Sequence, residues 1–245
     1  MKNNIPENAI LKDYIKTLNY FTEQLAEIEK ENIISIFLQG SFARGEATDN
    51  SDLDIWCVFK TLNTETLSKI SIITENLPIN YNQLELNAQC ITLDEFNSGH
   101  FSNFFSYAIL YFEAVLIWGE DIITKPAQDE DMEKTYKQIV AEVLLGIRHY
   151  ITVNEPFEKL TYQKIKTWIL KPLMFALRLE RYLYTRQYPI TIKDLINAYD
   201  TPPKSVAYFM NKEKWDIDIQ NNRKTTLYCL NDEVESLLGI VGRCE

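Results

Sequence analysis

Glycine is scarce in this chain: seven residues in 245, against roughly 7% in an average protein. Each one therefore reads as a required turn or close approach before it reads as loop filler. Two of them, Gly40 and Gly45, share one short segment. The four cysteines (Cys57, Cys90, Cys229, Cys244) are scattered with no C-x-x-C pair, which predicts a reduced, cytoplasmic chain whose cysteines are small core residues. Histidine is limited to His100 and His149; so far apart, and without cysteine partners, they read as surface or capping residues and argue against a His-dependent centre. The most apolar run, Tyr107 to Trp118, is interrupted by Glu113 and falls short of the roughly 20 residues a bilayer requires. The amino end, Met1-Lys2-Asn3-Asn4-Ile5-Pro6, lacks the apolar core of a signal peptide. Positive charge is also short, with 25 Lys and Arg against 35 Asp and Glu and a net charge of −10. That balance repels phosphate backbones and anionic headgroups and suits a cationic ligand. Neither a membrane nor a nucleic-acid partner is expected, and the oligomeric state is left open.

What is present is ordinary for a folded, water-soluble protein: 46% hydrophobic and 24% charged residues, which excludes disorder and low complexity. The length allows one large or two modest domains. From Pro6 to Glu31, apolar residues at helical spacing (Tyr14, Leu18, Phe21, Leu25 among them) predict an amphipathic helix. Ile33 to Gln39 and Leu53 to Phe59 are β-branched and aromatic runs of buried-strand length, and a helix is predicted near Thr64 to Thr74. Residues 84 to 91 alternate, with Leu84, Leu86, Ala88 and Cys90 on one face and Glu85, Asn87 and Gln89 on the other. Everything after Phe101 reads as helical, with runs at about 101–118, 130–152, 157–186 and 222–241 and no convincing strand. The expected organisation is an α/β (α+β) domain with a short mixed sheet over 1–120, followed by an all-α helical bundle over 121–245.

The chemistry concentrates in Asp52-Leu53-Asp54, at the entrance of the second strand. A period of two sends both carboxylates to one face while Leu53 and Ile55 turn to the core. Two carboxylates on a rigid strand suit a hard divalent ion such as Mg²⁺ that keeps positions open for substrate phosphates. A solvated acidic strand start is the bland alternative. The partner segment Leu38-Gln39-Gly40-Ser41 tips the balance, because glycine lets the backbone approach a ligand and successive N–H groups with a serine hydroxyl can hold a phosphate. It is no Walker A loop, since Glu46 and Ala47 follow Gly45 where Lys and Ser/Thr would be required.

Gly40-Ser41, followed about a dozen residues later by Asp52-Leu53-Asp54 with an apolar strand before each, resembles the nucleotidyltransferase superfamily of the DNA polymerase β type. The resemblance implies a third carboxylate from the next strand, and Glu85 in Gln83-Leu84-Glu85-Leu86-Asn87 matches it. It further implies that Asp52, Asp54 and Glu85 are the catalytic and metal-binding set, holding two Mg²⁺ ions. ATP is then the co-substrate, with Ser41 on its β/γ-phosphates. Arg44 either assists there or balances Glu46.

Within the superfamily the chain is similar to the aminoglycoside adenylyltransferases of the streptomycin/spectinomycin type. Ala114-Val115-Leu116-Ile117-Trp118-Gly119-Glu120-Asp121 resembles their leucine-rich helix ending in glycine and an acidic residue. Ala176-Leu177-Arg178, Tyr184-Thr185-Arg186-Gln187-Tyr188-Pro189 and Ile192-Lys193-Asp194 resemble their second-domain segment. This carries Arg178 and Lys193 over as nucleotide-binding residues. The match spans about 33–200; after Glu85 the family usually carries an apolar β-branched run, whereas this chain has Asn87 and Gln89.

The implied activity is transfer of AMP from ATP to a hydroxyl of a small, cationic acceptor such as an aminoglycoside. Adenylylation of a protein or RNA and a non-catalytic nucleotide-binding module are the alternatives. In the second half, Tyr150, Phe157, Tyr162, Trp168, Phe175, Tyr182 and Tyr184 are read as helix-core material, with a stacking platform as the alternative. Asp129-Glu130-Asp131 and Glu133 are read as a helix start favoured by the macrodipole, with a cleft for a polycationic ligand as the alternative.

Overall fold

Apolar side chains at helical spacing build the first described element, α1 (Leu11–Ile28), which buries Tyr14, Leu18, Phe21 and Leu25 along one stripe and leaves Ile28 outside it. The computed structural model describes residues 11–48, 51–77, 85–98, 107–124, 128–153 and 160–241; the helical expectation for Pro6 to Ile10, and His100, lie outside them. The chain divides into two compact units, Met1–Pro126 and Ala127–Glu245. Among the described residues no helix is long and apolar enough to cross a membrane.

The first unit is built on a four-stranded sheet of order β3-β2-β1-β4. The strands β1 (Ile33–Gln39) and β2 (Leu53–Phe59) form at their expected limits and pair antiparallel. Between them lies a single helical turn, α2 (Gly40–Ala43). After α3 (Thr64–Glu75), whose Asn63 side chain caps the Thr66 N–H, the strand β3 (Leu86–Thr92) runs parallel to β2. Leu84 falls outside the described residues. One sheet face carries Leu53, Ile55, Cys57 and Phe59 against α1 and α3; the other carries Phe37, Trp56, Val58 and Ile91, with Leu93 and Phe96 of α4 (Leu93–Ser98) packed against them.

The expectation of helix throughout the region after Phe101 is wrong at one point. The helix α5 (Tyr107–Glu113) stops, and Val115–Gly119 forms β4, antiparallel to β1 with Leu38 opposite Val115 and Ser35 opposite Gly119. The segment read as a leucine-rich helix is thus mostly a strand. A short apolar run has no periodicity that separates strand from helix, and the far edge of β1 offers unpaired backbone that such a run can satisfy.

The second unit is helical. It comprises α6 (Asp129–Thr152), α7 (Tyr162–Ile165), a π-helical turn at Lys166–Leu170, α8 (Lys171–Thr185), α9 (Ile192–Asn197), α10 (Lys204–Met210) and α11 (Lys212–Val241), the last kinked at Asn222, whose φ of −157° and ψ of 83° are not helical. Asp129, Glu130 and Asp131 occupy the first turn of α6, as read from sequence. His149 is exposed in its last turn. Two aromatics assigned to the core are instead exposed, Trp168 at 69% and Tyr184 at 51%. Trp168 lies within the π turn, whose wider pitch shifts the phase of the helical stripe.

Candidate active site

The turn after β1 is set by its glycine. Gly40 has φ +74°, a left-handed conformation that costs a side-chain-bearing residue free energy. A Cβ built on it would collide with Asp54 Oδ2 and come within 3.3 Å of Asp54 Cγ. The antiparallel register, with Gln39 opposite Asp54, brings the turn and the carboxylate together. Phe42, the buried residue of α2, stacks face to face on Tyr14 of α1 with ring centroids 3.8 Å apart, anchoring the turn to that helix. Ser41 is half-buried, and its carbonyl accepts from the Glu46 N–H at 2.8 Å.

Asp52 and Asp54 are both half-buried, on either side of the fully buried Leu53. Asp54 Oδ1 accepts a hydrogen bond from Asn87 Nδ2 at 2.9 Å, and Asn87 Oδ1 accepts from Gln89 Nε2 at 3.3 Å. The parallel register pairs Asp54 with Asn87, and one step earlier the Leu53 N–H donates to the Glu85 carbonyl at 2.7 Å. Alternation then puts the exposed Glu85 on the face that carries Asn87, just before the first paired residues of β2 and β3. Tyr14, buried beneath the turn, has its phenol pKa pushed up by burial and then by the negative charge of Asp54. Its hydroxyl has no hydrogen-bond partner among the described residues.

Arg44 is committed. Its guanidinium bonds Glu46 through Nε at 2.9 Å and Glu113 at 2.7 Å, and the Glu113 side chain is completely buried. Burial opposes the guanidinium charge, but the Glu113 and Glu46 carboxylates outweigh it and raise the pKa. This clamp ties the end of the Gly40 turn to the end of α5. The sequence leaves Arg44 between assisting at the phosphates and balancing Glu46 as an exposed residue, and does not point it at Glu113, although a lone acid inside an apolar run is the signal of a buried, paired charge. The Asn87 contact was overlooked too; its signal was two amides where a strand normally carries apolar residues.

Arg178 and Lys193 belong to the second unit. Arg178 is 2% exposed, with its guanidinium 5.6 Å from the Phe175 ring centroid. Lys193 is exposed in the first turn of α9, beside the Thr191–Asp194 capping box.

Among the described residues no three His, Cys, Asp or Glu side chains gather into a metal cage. The donor chemistry still fits Mg²⁺, which takes one or two carboxylates and fills its remaining positions with water and substrate phosphate. Asp52 and Asp54 are the residues that would supply that pair, and Gly40 keeps the space beside Asp54 Oδ2 free of a side chain.

A site of this kind, two alternating carboxylates beside a glycine-serine turn on a short mixed sheet, defines a nucleotidyl-transfer fold. The chain belongs to the nucleotidyltransferase domain family, whose profile matches residues 18–171. In three dimensions it is similar to the spectinomycin adenyltransferase AAD(9) from Enterococcus faecialis, solved with ATP and spectinomycin: TM-score 0.52 at 13% identity, over 90% of this chain and 99% of that one. That likeness is one of fold. A nucleotidyltransferase structure from Sulfolobus solfataricus matches 47% of this chain and 91% of its own, at 21% identity and TM-score 0.31. No curated protein sequence matches this one.

Proposed function

We propose that this protein is a Mg²⁺-dependent adenylyltransferase that moves AMP from ATP onto a hydroxyl of a small cationic acceptor of the aminoglycoside class. The observation that carries the reading is the alternation of Asp52 and Asp54 at the mouth of β2, with Gly40 held against Asp54. Magnesium, when bound, neutralises phosphate charge and lowers the pKa of a coordinated hydroxyl. Asp52 and Asp54 hold it, and Glu85 completes the oxygen set or accepts the acceptor's proton. Ser41 and the backbone N–H groups of its turn hold the β/γ-phosphates, while Arg44, through Glu46 and Glu113, keeps that turn in shape. The acceptor oxygen forms a bond to the α-phosphorus as the bond to the bridging oxygen breaks, releasing pyrophosphate. The net charge of −10 supports a cationic acceptor, and the fold's likeness to a spectinomycin-modifying protein supports its chemical class. Arg178 and Lys193 are assigned to the nucleotide phosphates, and a cytoplasmic location belongs to the same reading.

The test is incubation with each α-labelled nucleoside triphosphate and a panel of aminoglycosides that includes spectinomycin. Label should pass from ATP to one acceptor with release of pyrophosphate, and stop on chelation or in Asp52→Asn. Lys193→Ala should raise the KM for ATP without loss of folding. No pyrophosphate above the Asp52→Asn background with any acceptor would overturn the reading, and label found only on protein or RNA would move the acceptor to a macromolecule.

A further inference from the structure

Asn87 is a half-buried amide on an interior position of β3, where asparagine is a poor strand former. It sits opposite Asp54 in the parallel register and donates to Asp54 Oδ1 at 2.9 Å. An ionised carboxylate only accepts, so the amide must turn its NH₂ toward it. Gln89 accords with the same choice from the other end, donating to Asn87 Oδ1 at 3.3 Å. The Asp54 carboxylate is thus held on one side by an oriented amide, while its Oδ2 lies where a side chain on Gly40 would stand.

Resting on the nucleotidyl-transfer reading above, we infer that Asn87, oriented by Gln89, is a positioning residue that holds the Asp54 carboxylate in its metal-receiving orientation. A carboxylate already held in one rotamer loses less freedom when a cation arrives, and partners of this kind behind a metal ligand typically contribute 10–100-fold in metal affinity. Asn87 also stabilises the negative charge of Asp54 beside Asp52 without adding a competing cation.

The test reads divalent-ion binding directly. Mn²⁺ is titrated into the protein with a non-hydrolysable ATP analogue, and free Mn²⁺ is followed by its paramagnetic resonance. Asn87→Leu should weaken Mn²⁺ binding about tenfold, and Gln89→Leu, an exposed change that leaves Asp54 its direct partner, should weaken it less in the same direction. In an Asp54→Asn background Asn87→Leu should add nothing, a coupling that a merely structural role would not produce. Should Asn87→Leu fail to fold by circular dichroism, Gln89→Leu alone decides, and unchanged binding there overturns the inference. Binding by Asn87→Leu within about twofold of wild type, or an equal loss in the Asp54→Asn background, also overturns it. A wild type that takes up no Mn²⁺ with nucleotide would instead overturn the nucleotidyl-transfer reading and this inference with it.

Discussion

Gly40 and Asp54 face each other across the β1–β2 pair so closely that any side chain on Gly40 would occupy the space of the Asp54 carboxylate. The contact makes one residue answer two demands, the left-handed turn and the open approach to the carboxylate. Gly40→Ala should therefore cost about 1 kcal/mol or more from the backbone alone and displace Asp54 as well. We expect a lower urea midpoint and loss of pyrophosphate release. Full activity in this variant would mean that Asp54 is not held where the reaction needs it.

The two aspartates differ in their surroundings, and metal-free stability should register it. Asp54 has an amide donor in Asn87, whereas Asp52 has no hydrogen bond or ion pair among the described residues. Each opposes the other's charge by on the order of 1 kcal/mol at an effective dielectric near 20 or higher. Asp52→Asn should raise the melting temperature in chelator by a few degrees. Asp54→Asn should raise it less, because it also weakens a charge-assisted hydrogen bond. Equal shifts in thermal unfolding would remove the distinction between them.

Arg44 and Glu113 make a separate case, since the Glu113 carboxylate is wholly buried and Arg44 nearly so. Breaking such a pair from one side leaves a buried charge uncompensated, at about 3–5 kcal/mol. Arg44→Met should lower stability by up to that order and Glu113→Leu by less, because Arg44 keeps its Glu46 ion pair, and the double variant should lose clearly less than the two combined. Chemical denaturation of the four proteins gives the coupling. Additive losses would show that the clamp does not hold the turn to α5.

These elements also show why parts of the molecule could be read from sequence and others could not. β1 and β2 were legible to the residue because their apolar runs are bounded by Gly40 and by Asp52, and the carboxylate alternation followed from strand geometry alone. β4 was not, because Val115–Gly119 is defined by its pairing with β1, a contact about 80 residues away in sequence that no local period encodes. Glu113 and Asn87 were visible as anomalies, an acid in an apolar run and an amide in a strand, but only tertiary contact says what each anomaly serves. Arg178 illustrates the converse: the family resemblance alone carries it over as a nucleotide-binding residue, while the structure leaves it only 2% exposed on α8.

The last expectation concerns pH and the second unit. The helix α10 starts after Pro203, which offers no side-chain cap. In its place Glu233 of α11 accepts from the Ser205 N–H with both oxygens at 3.3 Å. A carboxylate suits a helix start, yet burial is the larger influence and lifts the Glu233 pKa above its ordinary value despite the Ser205 hydrogen bonds and the Lys204 charge. The folded state therefore keeps the Glu233 proton at a pH where the unfolded chain has released it. Below the unfolded value of about 4.5 the group is neutral in both states, and between that value and the raised folded one stability falls as pH rises. Glu233→Gln is neutral throughout and retains a carbonyl acceptor for Ser205. Its melting temperature relative to wild type should accordingly climb between pH 4 and pH 7, while Glu233→Leu, which loses the cap at every pH, should run below Glu233→Gln by about 1 kcal/mol. Paired thermal melts across that range decide the matter. A Gln-minus-wild-type difference that stays flat with pH would show that Glu233 ionises alike in the folded and unfolded chain.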